Sequence, residues 1–173
     1  MINVKVLIVK KNGTLNAPGY GNNTSKLVMI GQSLCGEKCI KSQIPFTGGS
    51  GVYLDQAFKQ ANILKSDIFI TNIVKCHPQK NRKSLFYEIN NCIPYLRKEL
   101  ELISPNHIIC FGQDASKYFD KNYKVSTSKD IVLNKKITTI HYLYHPSYIM
   151  RWKKKEEKKY VKKISTIISS CMA

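Results

Sequence analysis

The chain has 173 residues, with 28 Lys and Arg against 11 Asp and Glu, a formal net charge of +17, and 43% hydrophobic residues. That length supplies one core of ordinary size, and the apolar content excludes a self-repelling disordered polyelectrolyte. No apolar run approaches the roughly 18–20 residues of a membrane span, and an excess of positive charge this large favours a polyanionic partner, nucleic acid above all.

In chain order, Met1–Val9 reads as a short strand-like segment without the cleavage pattern of a secretory signal. Lys26–Gly31 is a short apolar run of the kind a buried parallel strand shows. Ile40–Gly51, with Pro45 and three glycines, reads as loop. Leu54, Ala57, Phe58 and Ala61 keep helical spacing between Val52 and Ile63, and Asp67–Thr71 is a second strand. Cys76–Lys83 is a polar loop. Leu85, Ile89, Cys92, Ile93, Leu96 and Leu100 form one helical stripe. Then come the strand His107–Phe111, the helix Asp114–Phe119 and a last strand at Ile137–Tyr144. After Pro146 a basic amphipathic helix is expected over about 147–172, with Tyr160, Val161, Ile164, Ile168 and Cys171 on its apolar side. The last 24 residues carry eight basic and two acidic side chains, the densest charge in the chain.

Strands alternating with helices predict an α/β fold, a single domain over 1–173 with a mainly parallel sheet of about four strands. In such sheets ligands bind beyond the carboxyl ends of the strands. The loops to inspect are Gly31–Gly51, Asn72–Arg82, Gly112–Asp114 and His145–Tyr148, and the first, second and fourth hold the most chemistry. In the first, the glycines let backbone approach a ligand, and Phe46 on a stiff Pro turn suits a flat ring. The same residues fit an ordinary Gly-rich turn. In the second, the Asn72 amide offers an acceptor and two donors, enough to read a base edge or to cap a turn. In the fourth, His145 can hydrogen-bond a leaving group, and Ser147 stands at a helix start.

Each signal alone is weak; their order is specific. Gly31-Gln32, Pro45-Phe46-Thr47-Gly48-Gly49-Ser50-Gly51, Thr71-Asn72-Ile73-Val74-Lys75-Cys76-His77-Pro78 with Asn81-Arg82, Cys92-Ile93-Pro94-Tyr95-Leu96, Phe111-Gly112-Gln113-Asp114-Ala115 and His145-Pro146-Ser147-Tyr148 follow one another along the chain. This series closely resembles the uracil-DNA glycosylase superfamily, nearest to its iron–sulfur family 4 branch, from about Gly19 to Arg151. The resemblance implies a three-layer α/β/α sandwich and excision of uracil from DNA by base flipping and hydrolysis of the N-glycosidic bond. It implies that Phe46 stacks on the base, that Asn72 binds its polar edge with Gln32 and Ser33 beside it, and that His145 stabilises the departing anion. It further implies that Gly48, Gly49, Ser50 and Ser147, with Arg82 and Arg151, grip the flanking phosphates. DNA is then the partner, and an intracellular monomer without a membrane anchor is expected.

Two departures stand out. The family 4 pattern has a Glu where this chain has Gln32, and a neutral amide orients water without taking its proton. Cys76 and Cys92 match two ligands of the family's cluster, but no Cys precedes residue 35. Cys35 and Cys39 could supply the second pair of a possible [4Fe–4S] cluster, with zinc or ordinary core and loop cysteines as the alternatives. These departures keep two other readings open: a non-catalytic or metal-stabilised DNA-binding member of the fold, and a glycosylase for another damaged base.

Overall fold

A computed structural model describes residues 19–34, 36–76, 78 and 82–173; the strand-like segment expected at 1–9 lies outside the described residues. Strand β1 (Leu27–Gly31) is buried at every position, as its unbroken apolar run requires of a strand covered on both faces. Helices α1 (Glu37–Ser42) and α2 (Val52–Ala61) follow, then β2 (Phe69–Asn72), α3 (Phe86–Ile103), β3 (His107–Phe111), α4 (Gln113–Phe119), β4 (Ser128–Leu133), β5 (Lys136–Leu143), α5 (Pro146–Trp152) and α6 (Glu157–Met172). The sheet order is β2-β1-β3-β5-β4. The first four strands in that order run parallel, and β4 pairs antiparallel with β5 at the edge.

Alternate residues of β1 feed two cores. Leu27 and Met29 face α2 and α6, packing with Leu54, Phe58, Ile164 and Ile168. Val28 and Ile30 face α3 and α4, packing with Leu96, Leu100 and Ala115. The result is the three-layer α/β/α arrangement, with five strands in place of about four. The additional strand is β4, whose exposed polar positions hide it from an apolar-run reading. Two further differences concern helices. Ile40–Ser42 belongs to α1 rather than to loop, and the terminal helix is broken in two at Lys153, where a 3-10 turn at Lys154–Glu156 separates α5 from α6.

Strand order reverses direction across β1: β2 lies on one side and β3 on the other. The carboxyl ends of β1 and β3 therefore flank a crevice. The segment after β2 is zipped to the segment after β1, since Ile73 and Val74 N–H groups donate to the Gly31 and Gln32 carbonyls at 2.9 and 2.8 Å. Beneath it, the Lys75 ammonium, 1% exposed, pairs with the Glu99 carboxylate of α3, 2% exposed, and with the Thr71 hydroxyl. Glu99 also accepts from Thr71 Oγ1 at 2.7 Å and from the Gly19 N–H at 3.2 Å. Breaking such a pair on one side strands a buried charge, at a cost of about 3–5 kcal/mol, whereas replacing both partners is close to neutral. Glu99→Leu is expected to lower unfolding free energy in urea by that amount, and Lys75→Met with Glu99→Leu to recover most of it.

Candidate active site

The centre of the crevice is Gly31, the last residue of β1. A Cβ built there falls 2.6 Å from Phe46 Cζ and 2.7 Å from Asn72 Oδ1, so only a residue without a side chain lets the ring and the amide approach this closely. Phe46 is buried, and its ring stands 5.4 Å from Phe111, edge to face, and 5.8 Å from His145 between centroids. Phe46 has φ 56°, a left-handed conformation that costs a non-glycine residue roughly 1–2 kcal/mol. The Lys65 ammonium holds it by donating to the Phe46 carbonyl at 2.9 Å. Thr47, next in the chain, is tied through its backbone to the Cys39 sulfur.

His145 caps α5. Its Nδ1 accepts from the Ser147 N–H at 3.2 Å and lies 2.7 Å from Ser147 Oγ. That contact assigns Nδ1 as the acceptor and leaves the proton on Nε2. Burial first, then the Arg151 charge, lowers the imidazole pKa from 6.5 to about 4, so the ring is a neutral donor near pH 7. Gly112, at φ 85°, brings the end of β3 against it; a Cβ there would sit 3.0 Å from His145 Cβ.

A cleft of about 190 Å³ opens in front of these residues, lined by Gln32, Phe111, Gly112, Asp114, His145 and Ser147 among others. Phe46 and Asn72 stand behind its lining, at Gly31. Gln32 Nε2 donates to Ser84 Oγ at 2.9 Å, and Ser84 in turn lowers the pKa of Asp114 on the same cleft. Burial raises the Asp114 pKa, with Lys83 and Ser84 opposing. Asp114 and Ser84 were not identified from sequence; the available signal was an acid in the loop after β3, at the carboxyl edge of the sheet.

The remaining expected site residues divide into three groups. Ser33 is buried and lies outside the cleft lining. The turn containing Gly48, Gly49 and Ser50 packs against α5, which brings it near Ser147, and Arg151 is exposed on α5. Arg82 is exposed, but its guanidinium nitrogens sit 2.7 and 2.9 Å from the Glu88 carboxylate, so its charge is already paired.

Of the expected metal ligands, Cys76 and Cys92 are neighbours: burial, then Cys92, raises the Cys76 thiol pKa, and the Lys75 N–H donates to Cys92 Sγ at 3.3 Å. Cys39 belongs to a separate packing cluster with Leu34 and Ile40, and Cys35 lies outside the described residues. The other two cysteines of the chain are Cys110, buried in β3, and Cys171, on α6. Two adjacent thiols are half of a four-thiolate set, and the described residues bring no third ligand to them.

Fold and cleft together define an α/β protein with a small polar crevice at the switch point of a parallel sheet. The model of the uracil DNA glycosylase superfamily matches residues 18–167. A type-4 uracil-DNA glycosylase of Archaeoglobus fulgidus is 31% identical over 150 residues, 81% of this chain and 74% of that protein. One from Thermotoga maritima is 31% identical over 156 residues, covering 87% and 79%. Among solved structures, SMUG2 of Pedobacter heparinus superposes with a TM-score of 0.61 at 17% identity, covering 85% of this chain and 76% of that one, a likeness of fold. The chain belongs to the uracil-DNA glycosylase superfamily.

The neutral state of His145 has a consequence for stability. Between pH 6.5 and 4 the unfolded chain binds a proton that the folded protein refuses, so the stabilisation is complete above 6.5 and lost as pH falls towards 4. His141, also lowered to about 4, acts in the same sense. The urea midpoint is expected to fall steadily from pH 7 to pH 4.5. In His145→Asn that fall should shrink by on the order of 1–2 kcal/mol.

Proposed function

We propose that this protein excises uracil from DNA. The observation that carries the reading is the meeting of Phe46 and Asn72 at Gly31, with His145 5.8 Å from the Phe46 ring on a cleft that also bears Gln32. A base turned out of the duplex would enter from the cleft, stack on Phe46 and present its polar edge to Asn72. As the N-glycosidic bond breaks, its electron pair goes to the base. The Nε2–H of neutral His145 donates to the oxygen on which the negative charge collects, and a preorganised donor of this kind contributes most in a site closed to water.

The sugar left behind is electron-poor, so a neutral water suffices as nucleophile. Gln32 is the residue placed to orient it. Its amide nitrogen is engaged by Ser84, which leaves Oε1 as the acceptor for the water, and the water's proton passes to solvent once it has attacked. Asp114, on the same cleft and beside Ser84, would act as a positioning residue that favours this orientation of the Gln32 amide. Gly48, Gly49, Ser50, Ser147 and Arg151 would hold the flanking phosphates. Arg82 would join only on leaving Glu88.

The test is single-turnover excision on a uracil-containing oligonucleotide with enzyme in excess. Abasic product is expected. Salt-dependent binding without product would instead establish the non-catalytic reading, and product only from hypoxanthine or mismatched thymine the alternative substrate. His145→Ala is expected to slow excision about 10²–10³-fold. Asp114→Asn is expected to lower the plateau about tenfold and to flatten the acid limb, since protonating Asp114 as pH drops through its raised pKa would slow the unaltered enzyme. A changed plateau with an unchanged acid limb would assign Asp114 to folding alone.

An iron–sulfur cluster would use Cys76 and Cys92, with Cys35 and Cys39 as the second pair. Iron analysis of the purified protein tests it: four irons per chain with absorption near 400 nm would establish the cluster, and a colourless protein with far less than one iron per chain would end this reading.

A further inference from the structure

At the other end of β3 lies a group of side chains that the excision chemistry leaves unused. His107 opens β3, and His141 sits on β5 across from Ile109, two residues along from the partner of His107. Both project to the face covered by α6, whose last turn carries Cys171. One ligand atom from each of the three lies within 4.8 Å of the others. The two imidazoles are stacked, with centroids 5.7 Å apart at 28°. Among the described residues, His107 Nδ1 and His141 Nε2 are buried nitrogens without a hydrogen-bond partner. A buried unsatisfied polar atom is unfavourable, and two on stacked rings beside a thiol call for a ligand.

We propose that His107, His141 and Cys171 form a tetrahedral site for one Zn²⁺ ion, with water in the fourth position, fastening the end of α6 to the sheet. Two imidazole nitrogens and one sulfur suit a borderline-soft divalent ion rather than calcium or magnesium, which take oxygen. Zinc bonds of about 2.0–2.3 Å put ligand atoms about 3–4 Å apart, so closing the present spread takes side-chain rotation only.

Burial keeps His141 neutral, with His107 and Lys163 adding to that effect, so no proton competes for its lone pair at pH 7. Burial also lowers the His107 pKa. The Cys171 thiol is held protonated by burial; on binding it gives its proton to solvent, one per ion, so affinity rises with pH. Lys136 and Lys163 set positive charge near the imidazoles. The Asp130 carboxylate acts on both rings in the opposite sense and is fixed by Thr139 Oγ1 at 2.7 Å. The site shares no residue with the cleft or with the Cys76–Cys92 pair.

The experiment is a Co²⁺ titration of the full chain after dialysis against chelator. One ion per chain is expected, with a thiolate-to-cobalt absorption band that Zn²⁺ abolishes. Cys171→Ser is expected to remove the band and weaken binding at least 100-fold, whereas Cys76→Ser with Cys92→Ser keeps both. No band, or a band that survives Cys171→Ser and disappears in the Cys76/Cys92 variant, would overturn the proposal. Should Cys171→Ser not fold, melting gives a second test. Zn²⁺ raises the Tm of the unaltered chain and not that of His107→Gln; equal rises in both, or none in the unaltered chain, would overturn it.

Discussion

The structure turns on a missing side chain. Gly31 ends β1 with no Cβ to keep three segments apart, and the Phe46 ring and the Asn72 amide close on it from two sides. An added methyl group would meet both at under 3 Å, well inside contact distance. The loops are therefore held from outside. Lys65 grips the Phe46 carbonyl, Ile73 and Val74 bond the backbone of Gly31 and Gln32, and the buried Lys75–Glu99 pair anchors the segment after β2 to α3. These supports offset the left-handed backbone of Phe46, which would relax if the turn were free.

How much of this was legible follows from what kind of physics each part obeys. Burial on both faces writes a continuous apolar run, so β1 and β3 could be read directly from LVMIG and HIICF. One-sided burial writes a stripe, so α3 and α6 were visible through Leu96, Leu100, Ile164 and Ile168. Strand β4 writes neither pattern: SKDIVL lies at an edge, mostly exposed, and is defined by its ladder to β5. The break at Lys153 was equally hidden, because the apolar spacing resumes in nearly the same phase at Tyr160.

The site divides in the same way. Phe46, Asn72 and His145 were readable because each follows a strand or opens a helix inside a motif whose order is specific. Ser84 and Lys65 were not, because they hydrogen-bond Gln32 and Phe46 from far away in sequence, and no local pattern records such a bond. The contacts of Cys39 are equally invisible: its sulfur meets the backbone of Thr47, eight residues along, and no spacing records that turn.

Gln32 and Asp114 set the balance of charge at the cleft. The neutral Gln32 amide stands where the family 4 pattern has a Glu, so the described lining carries one acid, Asp114, rather than two. Burial opposes the ionisation of that acid, while Lys83 on the same lining favours it. With His145 held neutral by burial, the remaining polar groups are amide, imidazole and hydroxyl donors. A lining with one carboxylate repels a polyanion less than a lining with two, which suits a chain carrying +17.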